Sequence, residues 1–138
     1  MVKHRHQGLE WWCLPGGGVE EGETPAQAVV RELREECNVE GTVVHQSSVV
    51  TYYPDGVQAY TYLVDIDDQE PRLGRDPEFE EHEQVLVDVR WLALSEIPER
   101  DRAFVWSGGL LGIETFLDEV ATWGGWISYP GKPDQEEQ

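Results

Sequence analysis

The segment from Gly17 to Val39 constrains the fold of this chain most strongly, because it predicts a capped helix behind a glycine-rich turn. Thr24, Pro25 and Gln27 form the pattern of a capping box with proline at the first helical position. We therefore predict a helix from Pro25 to about Cys37. At 100° per residue its apolar side chains share one stripe, which predicts packing against a sheet. The stripe contains Ala26, Val29, Val30, Leu33 and Cys37.

Three glutamates of the predicted helix fall together on a face beside this stripe. Glu32, Glu35 and Glu36 are spaced i, i+3 and i+4. Like charges at these spacings repel by roughly 0.2 to 0.5 kcal/mol per pair on an exposed helix, and by more where water is scarce. A hard divalent cation removes this repulsion, and clustered carboxylates suit Mg²⁺, Mn²⁺ or Ca²⁺ better than zinc. The alternative is a solvated acidic face in a very acidic protein.

A run of glycines, Pro15-Gly16-Gly17-Gly18, precedes the helix. Such a run permits positive φ and close approach of the backbone to a ligand, so it can present backbone groups to phosphate or metal. By itself a glycine triplet is more often a turn than a site, and this one matches neither the dinucleotide fingerprint nor the P-loop. The combination of this loop with the acidic helix is what indicates a functional site.

Together these residues resemble the Nudix pyrophosphohydrolases, whose motif reads G-x5-E-x7-R-E-U-x-E-E-x-G-U with U apolar. The matching positions, in register, are Gly17, Glu23, Arg31, Glu32, Leu33, Glu35, Glu36 and Val39. Asn38 stands where the motif has its late glycine. Asn is the best substitute for Gly in a left-handed helix cap, so we expect the turn to survive. Looser similarity extends from Trp12 to Pro15 before the motif and from Val89 to Leu92 after it.

The resemblance implies a metal site for Mg²⁺, with Mn²⁺ as the alternative. Glu35 and Glu36 would ligate the cation, and Glu32 would be a further ligand or the base that activates water. Gly16 would offer its backbone carbonyl. Arg31 would pair with Glu23 on a different side from the metal face, and would thereby fix the loop and orient the acids.

The family often recruits one more acid from outside the motif. Four glutamates of a later polar stretch qualify by location: Glu78, Glu80, Glu81 and Glu83. Glu81 and Glu83 lie nearest the following predicted strand and are the better candidates, and we assign Glu83 to the metal. The alternative for most of the four is a solvated acid on a flexible loop.

The implied chemistry is hydrolysis of a diphosphate. The cation neutralises and bridges the two phosphates, a carboxylate helps to deprotonate water, and that water attacks one phosphorus while the other phosphate departs. The expected substrate is a small nucleoside diphosphate-linked compound. Nucleoside triphosphates, including damaged ones, are the alternative substrate class. A module that binds nucleotide without cleaving it is a further alternative, although such modules typically lose motif carboxylates that this chain retains.

Substrate contacts are assigned to the loop and to aromatic residues. Gly17 and Gly18 are candidates for contact with the substrate through their backbone. Six tryptophans are many for 138 residues, and an aromatic plane stacked on a base contributes about 1 to 3 kcal/mol. Trp12 and Tyr52 are therefore candidates for stacking on a base, with burial in the core as the alternative for any tryptophan.

Composition indicates one small domain, which we place at residues 1–130 and follow with a flexible acidic tail at 131–138. Ten basic against twenty-eight acidic residues give a net charge of −18, which repels nucleic-acid polymers and anionic membranes. Cys13 and Cys37 are the two cysteines, so we expect a reducing compartment. With no apolar run of membrane-spanning length and no signal-peptide core, the sequence predicts a cytoplasmic enzyme.

The remaining pattern predicts an α+β fold, an α-β-α sandwich with a mixed β-sheet flanked by helices. Residues 67–83 are expected to form a mobile polar loop. Strands are predicted at 41–44, 49–53, 57–66 and 85–94, with a turn at 54–56 and a closing helix at 112–122.

The amino-terminal side is short, because only sixteen residues precede Gly17. Nudix domains usually place a central strand and a turn ahead of the strand that leads into the glycine loop. Met1 to His6 can supply one short strand. We therefore expect either a late start relative to a fuller gene product or a sheet with Val2 to His6 at an exposed edge. Such an edge would pair with a second copy, which predicts a homodimer.

Overall fold

The structure, a computed structural model, describes residues 1–77, 79–80, 83–110 and 113–122. Its strands are β1 (Val2–His6), β2 (Leu9–Cys13), β3 (Thr42–Tyr52), β4 (Val57–Asp65) and β5 (Leu86–Val89). Its helices are α1 (Pro25–Cys37), α2 (Glu99–Ser107) and α3 (Glu114–Ala121). The α+β class is confirmed. The described strands form a three-stranded sheet ordered β2-β1-β5 and a β3-β4 ribbon, both antiparallel.

Helix α1 has the predicted bounds because the residues at both of its ends form the capping interactions that the sequence predicts. The Thr24 N–H donates to Gln27 Oε1 at 2.9 Å, and the Gln27 N–H donates to Thr24 Oγ1 at 3.2 Å, which completes the capping box. Asn38 ends the helix in the left-handed region, with φ 54° and ψ 38°. The buried face of the helix joins one core cluster made of Val2, Cys37, Val39 and Leu86.

The prediction that Val2–His6 lies at an exposed edge is wrong. Strand β1 is the central strand of its sheet, because β2 pairs with it on one side and β5 on the other. Val2 lies opposite both Cys13 and Val89 and is fully buried. The sequence showed no partner for this strand beyond β2, since β5 follows more than eighty residues later. The reason given for a homodimer is therefore lost, and the dimer stays an untested prediction.

The two strands predicted at 41–44 and 49–53 are one strand, β3, that carries two irregularities. Its register against β4 shifts between Val43 and His45 and again between Gln46 and Ser48. These bulges absorb the polar stretch that interrupts the sequence alternation. The predicted turn is present, with Gly56 at φ 71° and its N–H donating to the Tyr52 carbonyl at 2.8 Å.

The chain after β5 differs most from the prediction. The strand ends at Val89, before the predicted end at residue 94, and Trp91 beyond it is 67% exposed. Helix α2 was not predicted, because a buried acid interrupts its apolar face: Asp101 is 0% exposed and accepts a hydrogen bond from the Trp12 N–H at 2.9 Å. The helix helps to build a second core cluster made of Leu94, Ile97, Val105, Trp106 and Leu110. Helix α3 is confirmed.

A cavity of about 400 Å³ lies between the two sheets. Consecutive residues line it at 60–64 of β4 and at 89–92, where β5 ends and the following loop begins. Because neighbouring side chains of a strand point to opposite faces, the run in β4 shows that an edge of this strand borders the cavity.

Candidate active site

The glycine loop lies directly against the acids of α1. Glu36 and Glu32 are 2% and 9% exposed, while Glu35 is more open. The Gly16 N–H donates to Glu36 Oε2 at 2.9 Å. A Cβ atom added to Gly17 would lie 2.3 Å from Glu32 Oε1, so this position has no room for a side chain. The loop and the helix therefore form one rigid contact around the carboxylates.

Burial of Glu32 and Glu36 favours the protonated, uncharged form of their carboxyl groups. It raises the pKa of Glu36 from 4.5 to about 7, against the lowering effect of the Gly16 hydrogen bond. Burial also raises the pKa of Glu32, although the Arg31 side chain opposes the shift. Negative charge on neighbouring acids adds to both increases. A cation placed among these groups would relieve this penalty, as expected of an acid held for function.

Arg31 connects the loop to the helix. It pairs with Glu23 through two hydrogen bonds, Nε to Oε1 at 3.0 Å and Nη2 to Oε2 at 3.1 Å, and Nη2 also donates to the Gly18 carbonyl at 2.8 Å. The predicted contact with Glu23 is therefore present. The prediction that Arg31 lies away from the metal face is wrong, because Nη1 donates to Glu32 Oε1 and Glu35 Oε2, both at 2.9 Å.

The donor atoms fit a hard divalent cation in their chemistry. Glu32, Glu35 and Glu36 offer carboxylate oxygens, the ligands that Mg²⁺ and Mn²⁺ prefer. Among the described residues, no group of three or more acidic, histidine or cysteine side chains is arranged to hold a metal ion. Two of the expected ligands are instead engaged by Arg31, which donates a hydrogen bond to one oxygen of Glu32 and to one oxygen of Glu35. Metal binding would therefore require these oxygens to be shared with Arg31 or released from it.

One acid at the site was missed by the sequence prediction. Asp76 lies close enough to raise the pKa values of Glu32 and Glu36 through its charge. The sequence pointed instead to later acids of the same polar stretch. Glu83 is exposed, and its N–H donates to the Glu80 carbonyl at 2.9 Å in a turn before β5. Its role as a metal ligand remains untested, while the other candidates 78 and 81 lie outside the described residues.

The two aromatic candidates occupy different environments. Trp12 is 8% exposed, with the Lys3 ammonium 5.1 Å and the Arg90 guanidinium carbon 5.9 Å from its ring centre. This is a core position with cationic neighbours, so the geometry favours packing for Trp12 over stacking on a base. Tyr52 is 49% exposed at the end of β3 beside the hairpin turn, opposite Val57.

The comparison with protein families agrees with this geometry. A model of the NUDIX domain matches residues 1–110, a span that holds both sheets, α1 and α2. The chain belongs to the NUDIX domain family. Members of this family generally use divalent metal ions and act on small nucleotide-type substrates.

Two relatives of this NUDIX domain are much longer proteins. It is 30% identical over 95 residues to the "Putative mutator protein MutT4" of Mycobacterium tuberculosis (strain CDC 1551 / Oshkosh), a match that covers 64% of this chain and 35% of the relative. It is 27% identical over 112 residues to the "Nucleoside triphosphate pyrophosphatase/Nudix hydrolase fusion protein" of Bifidobacterium longum (strain NCC 2705), covering 80% and 22%. The matched region thus spans about a third or less of each relative.

Two further observations concern membrane spans and the cysteines of the described residues. No described helix is both long and apolar enough to cross a lipid bilayer. Cys13 and Cys37 are free thiols, and burial raises their pKa values to about 12 and about 11. The predicted acidic tail at 131–138 lies outside the described residues.

Proposed function

We propose that this protein hydrolyses the diphosphate bond of a small nucleoside diphosphate-linked compound, with Mg²⁺ as the cation and Mn²⁺ as a substitute. The observation that carries the proposal is the contact between the glycine loop and two buried carboxylates, Glu32 and Glu36. Arg31 pairs with Glu32, but the pKa values of both acids are still raised, so a further positive charge would favour their burial. A divalent cation that also binds a diphosphate would supply this charge.

The roles of the individual residues follow from their positions. Glu35 and Glu36 would hold the cation, which when bound neutralises the diphosphate charge and lowers the pKa of water. Glu32 lies beside them with a raised pKa, which suits a group that accepts the proton of the attacking water. The Gly16 carbonyl would complete the ligand set, and the backbone of Gly17 would face the substrate phosphates.

Arg31 would act by holding these groups in place. Its two hydrogen bonds to Glu23 fix one end of the guanidinium, and its bond to the Gly18 carbonyl fixes the loop. Its third nitrogen holds oxygens of Glu32 and Glu35. A planar guanidinium makes all of these bonds at once, which an ammonium group does not. We therefore assign Arg31 to orientation of the carboxylates.

We also propose Asp76 as the acid from outside the motif that assists the site. Its proximity to Glu32 and Glu36 supports this assignment. Asp76→Asn should weaken activation by Mg²⁺, seen as a higher metal concentration for half-maximal rate. Glu83→Gln is the competing test, because an equal or larger effect there would favour Glu83 instead.

Hydrolysis of nucleoside triphosphates is the second candidate function, favoured by the printed name of the Bifidobacterium relative. A screen of nucleotides by chromatography, with Mg²⁺ and with EDTA, separates the two. Our proposal expects two phosphorylated fragments from a diphosphate-linked compound, whereas the second candidate expects pyrophosphate from a triphosphate. Binding of nucleotides without any metal-dependent product would contradict both and indicate a binding module. We propose a cytoplasmic location in either case.

A further inference from the structure

The segment from Arg72 to Asp76, here called the strap, lies across the carboxyl end of α1. Three of its N–H groups donate to helix carbonyls: Arg72 to Cys37 at 2.9 Å, Gly74 to Glu36 at 2.8 Å and Arg75 to Glu35 at 2.9 Å. The last four carbonyls of a helix have no partner within the helix. The strap therefore supplies partners that a following turn would otherwise supply, and two of these carbonyls belong to proposed metal ligands.

Asn38 fastens the start of the strap. Its side-chain Nδ2 donates to the carbonyls of Arg72 at 3.1 Å and Leu73 at 3.2 Å. Asn38 is also the one residue that departs from the fixed positions of the motif, where the family has glycine. A glycine would adopt the same left-handed conformation at lower cost but has no side chain to donate these bonds.

The contact at Gly74 is too close for any other residue. A Cβ atom there would lie 1.8 Å from the Glu35 carbonyl oxygen, far inside van der Waals contact. At the other end of the strap, Gln84 binds the backbone of Asp76 twice, through Oε1 at 2.9 Å and Nε2 at 2.8 Å. Gln84 also donates to the Phe79 carbonyl at 2.6 Å. The strap is thus held at its start, its middle and its end.

We propose that Asn38 is a positioning residue of this enzyme: by fastening the strap it fixes the last turn of α1, which carries Glu35 and Glu36, and places Asp76 beside Glu36. The role rests on the proposed function insofar as these acids bind the cation. The proposal predicts that Asn38→Gly, which restores the family residue, loosens the strap and weakens metal binding. This loss is expected even though glycine adopts the backbone conformation at φ 54° more easily.

Asn38→Gly in the full chain is the decisive variant, and Gln7→Gly is its matched control. Gln7 is an exposed residue at φ 49° in the turn between β1 and β2, so both changes remove a polar side chain from a left-handed residue. Two readouts are needed. Amide hydrogen exchange measures the strap N–H groups, and the electron paramagnetic resonance of Mn²⁺ measures metal binding without substrate.

For Asn38→Gly we expect strap amides to exchange roughly tenfold faster, the effect of losing hydrogen bonds of ordinary strength. We also expect Mn²⁺ binding to weaken several-fold, and the Mg²⁺ concentration for half-maximal rate to rise while KM at saturating Mg²⁺ stays near the wild-type value. Gln7→Gly should match the wild type in all three. Gln84→Met, which keeps the side-chain length and removes both polar atoms, should reproduce the effects of Asn38→Gly.

Unchanged exchange in Asn38→Gly would overturn the proposal, because the strap would not depend on this side chain. Faster exchange with unchanged Mn²⁺ binding would also overturn it, since the strap would then be structural only. Failure of the wild type to bind Mn²⁺ would contradict the proposed function, whereas the exchange measurement would still decide whether Asn38 fastens the strap.

Discussion

Glu36 is a residue of the proposed site whose burial lowers the stability of the fold when its side chain is ionised. It is almost fully buried and accepts one hydrogen bond from the Gly16 N–H. That bond does not offset its burial, and its pKa lies at about 7. A group held in this way is destabilising when ionised and uncompensated. We therefore attribute its buried position to the proposed metal binding and not to a contribution to stability.

Metal-free protein should therefore lose stability with rising pH on account of Glu36. Since its pKa is raised on folding from 4.5 to about 7, its favourable contribution is complete below pH 4.5 and is lost as the pH rises through 7. Glu36→Gln should remove this dependence and raise the free energy of unfolding at about pH 8 by roughly 2 to 3 kcal/mol. Urea unfolding in EDTA across this range measures it.

The control for this prediction is Glu21→Gln, the same chemical change at an exposed acid in the turn that precedes α1. It should keep the wild-type pH dependence. A Glu36→Gln protein whose unfolding free energy follows the wild-type curve at every pH would show that Glu36 is ionised at no cost in the folded state.

Replacement of Arg31 should impair catalysis through geometry. Arg31→Ala frees Glu23 and leaves Glu32 and Glu35 without their shared donor, so we expect kcat at saturating Mg²⁺ to fall by roughly 100-fold. Arg31→Lys should recover only part of this loss, because one ammonium does not replace the fork of bonds. Steady-state kinetics of the three proteins measure the effect, and full activity of Arg31→Lys would mean that charge alone suffices.

At the scale of elements, the sequence predicted what is locally determined. The bounds of α1 follow from Thr24, Gln27 and Asn38, which act within one turn of the helix ends. The motif register likewise predicted the contact between Arg31 and Glu23. Asp76 was missed because its place depends on hydrogen bonds from the strap to the end of α1, contacts between segments more than thirty residues apart.

Two further misses have the same origin in distant contacts. Helix α2 was not predicted because its buried face contains an acid, Asp101. This acid is tolerated there because it accepts a hydrogen bond from the N–H of Trp12, a residue distant in sequence. The central place of β1 was hidden because its second partner, β5, joins it from the far end of the domain. Periodicity reports burial of apolar residues only, so polar groups paired over long range escape it.

The capping box of α1 provides a prediction at this scale. Thr24→Ala removes the acceptor for the Gln27 N–H and should lower the free energy of unfolding by about 1 kcal/mol. Thr24→Asp keeps an acceptor in the same place and should retain most of the stability. Denaturant titration of both variants measures the difference, and equal losses would show that the side-chain oxygen does not cap the helix.

At the scale of the whole molecule, the two sheets meet around an open interior. The three-stranded sheet and the β3-β4 ribbon face a cavity of about 400 Å³, bordered by β4 and by residues 89–92. Two-stranded ribbons are of marginal stability alone, so the ribbon depends on its contacts with α1, α2 and this interior. The lining of this cavity is mostly apolar, so it should accept an apolar molecule.

Native protein should therefore bind the fluorescent probe ANS without denaturant. Leu92→Trp adds bulk to the cavity lining and should reduce the probe signal several-fold, whereas Leu9→Trp, at a residue 64% exposed on β2, should leave it unchanged. Fluorescence titration at equal protein concentrations makes the comparison. Equal signals from the two variants would place the probe elsewhere and contradict a ligand-accessible interior.

The most direct test of the proposed chemistry is the turnover of Glu36→Gln against that of the wild type, on the diphosphate compound that the nucleotide screen identifies. We predict that the wild type is active with Mg²⁺ and inactive with EDTA. Glu36→Gln should lose activity by at least about 1,000-fold while it unfolds cooperatively and no less stably than the wild type at about pH 8. A cooperatively folded Glu36→Gln protein with wild-type turnover at saturating Mg²⁺ would contradict the assignment of this helix as the metal-binding and catalytic element.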